Sequence, residues 1–476
     1  MDIQPATQHS RYTVVASHYA RLNSNVIDGG GDDDTAVLQA ILDMAPVWGS
    51  LYLILDGAAL VSGLQVHSNT TIECLNQSCG FFLKSGSNRS ILENAHLSYT
   101  QINEENITLI GGTYNHNSQG QEHHVSRQGD PNSEAFEGDK WVIAFEFYGV
   151  RNLTMRGLTI RNQRTFSMLI ACWENVNMED IAIDLPDNQY AQNQDGIHFW
   201  GPGRFLSMRN IRGTAGDDFI ALAPDENDLV SSITDVHIDG VFLNDSDQGI
   251  RMLSRGSGRL DRVVVRNVTG TYKSFGFYIN SWFPGPGGNY GSITLENIDL
   301  RPTQHKYPYC NPLLFRFGGI MESLALRNVR IHNYEPERAA IEVGIPFYEP
   351  NDEHTPEVCR IRNLTIDGLE VFEDRENPGN RAYVKVLCPV EALTLRNAQV
   401  LRTGMPEGAL VELTEQGRVE VLSIAAANLQ KLDTVVRSVG QIGNLTANGV
   451  IAREVAHLLE GTADAQYADG VHGIEA

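Results

Sequence analysis

A short alternation of apolar and polar residues recurs along most of the chain. Its unit reads apolar-x-apolar with an Asn or Gly nearby, as in Ile107–Leu109, Leu153–Met155 and Val176–Met178. Further copies begin at Leu206, Val236, Val263, Ile293, Leu324, Leu364, Leu393, Leu422 and Leu445. Successive copies start 23 to 31 residues apart, except for two gaps of 40 and 46 residues that mark insertions. Alternation of this kind predicts short strands with one buried face, and the Asn or Gly marks the turn.

Short strands stacked at a fixed period predict an all-β, single-domain, right-handed parallel β-helix with a short N-terminal capping helix. A helical repeat is excluded because it would need continuous stretches with a 3.6-residue period. The alternative, a leucine-rich repeat, would show a tighter period and a more regular Leu/Asn ladder. We therefore predict one domain over residues 1–476, with a cap region at 1–50, coils at 51–455 and a C-terminal tail at 456–476.

The capping helix is predicted from one segment near the N-terminus. Asp33–Thr35 supplies polar capping residues, and Val37, Leu38, Ile41 and Leu42 follow at helical spacing. We expect this amphipathic helix to cover the otherwise open strand edge of the first coil.

Composition and charge limit the partners of such a fold. The 476 residues include 36 Lys and Arg against 59 Asp and Glu, a net charge of −23, so nucleic acid and anionic membrane surfaces are disfavoured by repulsion. The richest apolar segment, Leu51–Val61, contains Asp56 and is shorter than the roughly 20 residues that span a bilayer. Met1–Arg11 is polar and contains no apolar signal core, which predicts a cytoplasmic protein, or a secreted one if a signal had been removed. The oligomeric state stays open.

A second ladder of short strands lies between the repeat units. Its rungs are Asp195–Phe199, Asp217–Leu222, Gly249–Leu253 and Gly276–Asn280. Alternation along these strands turns four polar side chains away from the core, namely His198, Arg251, Tyr278 and Asn280. Neighbouring rungs lie about 4.8 Å apart, so the side chains on this face form a row.

Three carboxylates are expected to meet on that face. Asp195 and Asp217 are 22 residues apart, which is one short coil, and Asp218 follows directly. Three close acidic groups favour retention of a proton near neutral pH. Glycoside hydrolysis uses such a set, because one carboxylic acid protonates the leaving oxygen while another carboxylate activates water. Gly-Asp-Asp alone is also common in turns, but Asn193 and Asp195 one coil away favour an active site.

With these motifs the chain resembles the polygalacturonase-type glycoside hydrolases, the family 28 pectin hydrolases and their relatives. The resemblance rests on Phe145–Asn152, Gly157–Asn162, Asn193–Gly196, Gly216–Leu222 and, at the start, Gly31–Thr35 with Ser68–Ile72. It covers roughly the first 300 residues, and the repeat alone supports the remainder.

The resemblance implies roles for the acidic residues. Asn193-Gln194-Asp195 and Gly216-Asp217-Asp218 match the two acidic motifs of the family. Asp217 is thereby implied as the general acid, while Asp195 and Asp218 hold and deprotonate the attacking water, with inversion at the anomeric carbon. Neither a metal nor a cofactor is implied, and the partner is a carbohydrate substrate.

The chain also departs from the family pattern. Asp247–Gly249 stands where the family has Gly-His-Gly, so Gln248 replaces a histidine. The carboxylate-gripping Arg-Ile-Lys motif corresponds either to Tyr278–Asn280, with both cations lost, or to Arg251–Leu253, with the arginine kept. The residues expected to bind substrate are Asn193, His198, Gln248, Arg251, Tyr278 and Asn280. Because a uronate carboxylate is held by charge-assisted hydrogen bonds, plain polygalacturonate is predicted to be a poor substrate.

Two other functional classes remain open from the sequence. A β-helical lyase or epimerase would use a cationic base, for which Arg251, Arg255 and Lys273 are candidates. A tailspike-like carbohydrate-binding module would leave the three carboxylates without a role. Four aromatic residues are candidates for stacking on sugar rings: Phe166, Trp173, Trp200 and Trp282.

Overall fold

The computed structural model describes residues 12–121, 142–186, 193–280, 288–303, 312–333, 338–345, 359–376 and 379–474. The chain divides into two compact units, Met1–Asp217 and Asp218–Ala476, and each is described in turn. Among the described residues, no helix combines the length and the apolar character that crossing a bilayer requires.

The first unit contains two short α-helices. Helix α1 spans Thr35–Leu42 and helix α2 spans Ala45–Trp48, while single 3-10 turns occupy Ala16–His18 and Ser118–Gly120. Leu38, Ile41 and Leu42 of α1 are buried, as their spacing predicted.

The rest of the first unit consists of strands. They are β1 (Tyr12–Val15), β2 (Leu51–Leu55), β3 (Ala58–Val61), β4 (Leu64–Val66), β5 (Thr70–Cys74), β6 (Gly80–Leu83), β7 (Leu92–Asn94), β8 (Glu104–Ile110), β9 (Thr113–Asn115), β10 (Phe145–Arg156), β11 (Thr159–Arg161), β12 (Met168–Asp184) and β13 (Ile197–Gly213). All their pairings are parallel and follow three rows. One row contains β1, β2, β5, β8 and the later parts of β10, β12 and β13. A second contains β3, β6, β9, β11 and the ends of β12 and β13. The third, called the site row of this unit, contains β4, β7 and the starts of β10, β12 and β13.

The second unit repeats this arrangement. Its strands are β14 (Asp218–Ala223), β15 (Ile233–Leu253), β16 (Arg259–Asn280), β17 (Asn289–Pro302), β18 (Leu313–Phe317), β19 (Ile320–His332), β20 (Ile341–Val343), β21 (Arg360–Glu373), β22 (Ala382–Val386), β23 (Pro389–Arg396), β24 (Gln399–Arg402), β25 (Ala409–Leu413), β26 (Arg418–Gln430), β27 (Thr434–Ser438), β28 (Gln441–Val455), β29 (His457–Glu460), β30 (Ala465–Asp469) and β31 (His472–Ile474). Its site row contains β14, the ends of β15 and β16, and then β18, β20, β22, β25, β27 and β29.

The core lies inside the coils, because alternate residues of each strand stack on their equivalents in the next coil. In the site row of the second unit, five buried side chains follow one another in register: Ile250, Phe277, Phe315, Ile341 and Val384. Alternation therefore buries the residues that the sequence predicted, and the all-β parallel β-helix with a short N-terminal helix is confirmed. That both units form a single domain stays a prediction.

The recurring Asn of the repeat has two structural roles. Asn106, Asn152 and Asn175 all adopt φ between +55° and +59°, the left-handed conformation that Asn tolerates better than most residues. Their amides also form a ladder, in which Asn152 donates to Asn106 at 2.9 Å and Asn175 donates to Asn152 at 2.8 Å. The position of these residues at the corners of successive coils explains why Asn recurs in the repeat.

The stacked core leads to a stability prediction. Phe277 is fully buried, whereas Phe242 in the same unit is 51% exposed. We expect Phe277→Ala to lower the free energy of unfolding by about 3–5 kcal/mol, because it leaves a cavity. Phe242→Ala should change it by about 0.5 kcal/mol or less. Urea denaturation of both variants measures this, and equal losses would contradict the inward assignment of Phe277.

Candidate active site

Asp195 lies in the first unit, two residues before β13, and its side chain is buried. Its Oδ2 lies 2.8 Å from Nδ1 of His198, and the two side chains are only 4% and 5% exposed. The backbone carbonyl of Asp195 accepts a hydrogen bond from the Ser167 N–H at 2.9 Å, which fixes the start of this rung against the preceding coil. The structure thus joins two of the predicted site residues in one buried pair.

The two acidic motifs of the first unit are connected by backbone hydrogen bonds. The N–H of Asn193 donates to Oδ2 of Asp217 at 3.0 Å, and the N–H of Gly216 donates to the carbonyl of Gln194 at 2.9 Å. Asn193 has a φ of +55°, so it uses the same left-handed turn as the corner asparagines. Asp217 is half-buried. The predicted proximity of the two motifs on consecutive coils is therefore present.

Aromatic side chains surround His198. The Phe166 ring stacks on the imidazole with centroids 4.9 Å apart, and Trp200 approaches it edge-on at 6.1 Å. Trp173, another candidate for sugar stacking, is buried and donates its indole N–H to the Trp200 carbonyl at 3.0 Å. It therefore packs in the interior and does not present its ring to a sugar. The fourth candidate, Trp282, lies outside the described residues.

An adjoining aromatic surface was not predicted from the sequence. Tyr99, which is 41% exposed, stacks on Tyr148 at 4.8 Å and lies 6.0 Å from Trp200 between ring centroids. The Tyr148 hydroxyl donates to Oε1 of Glu146 at 2.8 Å, and the Ser90 hydroxyl donates to Oε2. Burial raises the pKa of Tyr148 well above its usual value, and the Glu146 carboxylate raises it further. The alternation of Phe145–Tyr148 is the signal that would have placed Glu146 and Tyr148 on the outward face.

In the second unit, Asp218 is the first residue of β14 and Gln248 lies directly beside it on β15. Both side chains are half-buried. The neighbouring Asp247 is buried and accepts a hydrogen bond from the Ser274 hydroxyl at 2.8 Å. The amide of Gln248 therefore occupies the rung next to Asp218, where the family pattern has a histidine.

Arg251 and Tyr278 contact each other on the outer face of this row. The guanidinium carbon of Arg251 lies 4.1 Å from the centroid of the Tyr278 ring, and its Nη1 donates to the Tyr278 carbonyl at 3.1 Å. On the following rung, the guanidinium carbon of Arg316 lies 5.5 Å from the same ring. Asn280 donates from Nδ2 to the Tyr278 hydroxyl at 3.1 Å. Tyr278 is thus flanked by two arginines, each a cation over an aromatic face.

Arg316 is a residue that sequence reasoning missed. It is 1% exposed and stands in Leu313–Phe317, whose alternation continues the ladder one rung beyond Asn280. The sequence predicted that this row keeps either no cation or Arg251 alone. That prediction is incomplete, because the structure places a second guanidinium, that of Arg316, beside Tyr278.

The other two cations considered for a lyase are engaged with neighbouring groups. Arg255 donates from Nη1 to the Glu226 carbonyl at 3.0 Å. The Lys273 ammonium lies 3.5 Å from a carboxylate oxygen of Asp245.

The family model described as "Glycosyl hydrolases family 28" matches residues 62–308, more than half of the chain. The chain belongs to this family. A polygalacturonase from Medicago sativa is 24% identical over 176 residues, which cover 36% of this chain and 38% of the relative. The chain thus spans well under half the length of that curated relative.

Solved structures support the fold of this family 28 chain. The hyperthermoactive exopolygalacturonase from Thermotoga maritima superposes with a TM-score of 0.53 at 14% identity, covering 93% of this chain and 91% of that one. The N-terminal fragment of bacteriophage Phi29 gene product 12 gives a TM-score of 0.50 at 13% identity, covering 97% and 71%. At such low identities the likeness concerns the fold alone.

The turn at Asn193 gives a prediction for this family 28 site. We expect Asn193→Ala to lower turnover and to destabilise the chain by roughly 1–2 kcal/mol, since Ala disfavours the left-handed conformation that aims the N–H at Asp217. Asn193→Gly should retain most of the activity, because glycine adopts positive φ without strain. Turnover and thermal midpoints of both variants measure the effect. If Asn193→Gly is as impaired as Asn193→Ala, the side-chain amide matters more than the backbone turn.

Proposed function

We propose that this protein is an inverting glycosidase, with Asp217 as general acid and with Asp195 and Asp218 acting on the attacking water. The observation that carries the proposal is the hydrogen bond from the Asn193 N–H to Asp217, which links the two acidic motifs. Asp218 follows Asp217 directly in the chain. Family membership supports the reaction class.

The general acid must hold a proton and direct it at the glycosidic oxygen. Asp217 is half-buried, so solvent and a sugar can both reach it. The backbone N–H of Asn193 binds one of its carboxyl oxygens and restricts rotation of the group. Positioning of this kind, together with the proton transfer itself, typically contributes a factor of about 10²–10⁴ to the rate.

The base side of the reaction rests on Asp195. Nδ1 of His198 lies 2.8 Å from Oδ2 of Asp195, and this contact holds the carboxylate in one orientation. We assign His198 as the positioning residue of Asp195. Asp218 would share the water, with Gln248 on the neighbouring rung as an additional hydrogen-bonding group.

We propose a substrate that combines an acidic sugar with neutral sugars, rather than plain polygalacturonate. In the second unit, Arg251 and Arg316 flank Tyr278, and two guanidinium groups suit a uronate carboxylate. In the first unit, the outward residues of the site row include the carboxylates of Glu93 and Glu146. Glu93 pairs with Arg89 at 3.0 Å, so Glu146 is the carboxylate of this pair that would disfavour a uronate.

The aromatic surface of the first unit favours a neutral sugar. The exposed Tyr99 and the half-buried Trp200 offer ring faces on which the apolar face of a pyranose stacks. Glu146 already accepts hydrogen bonds from Ser90 and Tyr148, so its carboxylate is held next to Tyr148. A carboxylate in this position disfavours an acidic sugar.

The acid assignment is tested by Asp217→Asn. We expect turnover to fall by at least two orders of magnitude with little change in the thermal midpoint, because the half-buried Asp217 contributes little to the core. Asp469→Asn, at an exposed position on β30, serves as the matched control and should leave turnover unchanged. Turnover above a tenth of the wild-type value in Asp217→Asn would remove Asp217 from the acid role.

The same assay separates the reaction classes. Inverting hydrolysis gives a product whose anomeric configuration, followed by NMR at early times, is opposite to that of the substrate. A lyase would instead give an unsaturated sugar that absorbs in the ultraviolet, and an epimerase would change the configuration at C5 without chain cleavage. A non-catalytic module would bind oligosaccharides and release no product.

The substrate proposal predicts a selective effect at Arg316. Arg316→Met should lower kcat/KM on an oligosaccharide with a uronate by about 10- to 150-fold, which corresponds to a lost charge-assisted hydrogen bond of about 1.5–3 kcal/mol. On a neutral oligosaccharide the loss should be small. Arg330→Met, at an exposed ion pair with Glu370, is the control. Equal losses on acidic and neutral substrates would show that Arg316 is purely structural.

Plain polygalacturonate provides a direct comparison. We expect its specificity constant to lie well below that of an oligosaccharide containing both neutral and acidic sugars. A kcat/KM on polygalacturonate above about 10⁴ M⁻¹s⁻¹, typical of an efficient enzyme, would overturn the mixed-substrate proposal.

A further inference from the structure

A second cluster of chemically active side chains lies at the N-terminal end of the first unit, on other coils than Asp195. It contains His67, His96 and Glu104, and one nitrogen or oxygen from each lies within 4.8 Å of the others. Nδ1 of His96 is 2.6 Å from Oε1 of Glu104. The mechanism proposed above makes no use of these residues.

The fold holds these three side chains in place. His67 follows β4 and His96 follows β7 by two residues, and these strands pair in register. Glu104 begins β8, and its side chain is only 4% exposed. Its Oε2 accepts hydrogen bonds from the backbone N–H and the hydroxyl of Ser68, which leaves Oε1 directed at His96. The carboxylate is therefore oriented by backbone geometry before any ligand arrives.

The donor set suits a divalent transition metal ion. Two imidazole nitrogens and one carboxylate oxygen are ligands that zinc prefers, with water able to complete a tetrahedron. Nε2 of His67 lies 3.0 Å from Oδ1 of Asp43, so Nδ1 of the same ring is the nitrogen available to an ion. A carboxylate bonded to the other nitrogen is the usual support of a ligating histidine. We propose that His67, His96 and Glu104 bind a zinc-class ion, with Asp43 orienting His67.

The position of Asp43 indicates what such an ion would do. Asp43 is the residue directly after helix α1, and Gln39 of that helix already exchanges hydrogen bonds with Gln65 of β4 at 2.8 and 3.1 Å. An ion bound by His67 and His96 would add a second connection between helix α1 and the first coils, through the contact of His67 with Asp43. Since anything that binds only the folded state stabilises it, the ion would act as a structural fastener of the N-terminal end.

The test uses the full chain, freed of metal with a chelator and then titrated with Zn²⁺ in a calorimeter. We compare the wild type with His96→Ala, since His96 is 67% exposed and can be removed without disturbing the core. His457→Ala, at another exposed histidine, is the matched control. We expect the wild type and His457→Ala to bind one more zinc ion per chain than His96→Ala, and to gain several degrees in thermal midpoint on zinc addition.

The zinc titrations and thermal midpoints of the three proteins distinguish a specific zinc site from its absence. A missing zinc equivalent and a lost thermal shift in His96→Ala alone would support the site. Equal stoichiometry and equal shifts in all three proteins, or the absence of tight zinc binding in the wild type, would overturn it. Both readouts are independent of glycosidase activity.

Discussion

The one-to-one register between parallel strands of successive coils is the constraint on which the rest of each unit depends. Because every coil places equivalent residues about 4.8 Å from those of the next, a residue type repeated along the sequence becomes a continuous row in space. Ile250, Phe277 and Phe315 form such a row inside the second unit. The same register places Arg251, Tyr278 and Arg316 side by side on the outer face.

The corners of the coils show how a structural device also serves chemistry. Asn106, Asn152 and Asn175 turn the chain with positive φ and bond to one another through their amides. Asn193 uses the same conformation, but its backbone N–H is donated to Asp217. The candidate acid is thus oriented by a turn of the kind that the fold already uses at its other corners, although here the donor is the backbone N–H and the acceptor is a carboxylate.

Local charge on the outer face differs from the net charge of the chain. The protein carries a net charge of −23, yet the second unit buries two guanidinium groups against Tyr278. The first unit has the opposite arrangement, since the Glu146 carboxylate accepts a hydrogen bond from Tyr148, on which the exposed Tyr99 stacks. Burial strengthens both effects because solvent screens these charges less than surface ones. Recognition of a sugar therefore depends on where individual charges are held, more than on their sum.

The sequence by itself determined the fold class, the N-terminal helix and the buried face of each rung, because alternation and period are local properties of the chain. It also predicted that Asn193 and Asp217 belong to consecutive coils, and the hydrogen bond between them agrees with that spacing. It could not show that His198 pairs with Asp195, or that Arg316 joins Arg251 at Tyr278. Those contacts depend on side-chain conformations and on how many residues separate consecutive rungs, and insertions make that number vary. Only the tertiary structure decides which side chains on the outer face meet, because the hydrogen-bonded register, and not distance along the chain, sets their spacing.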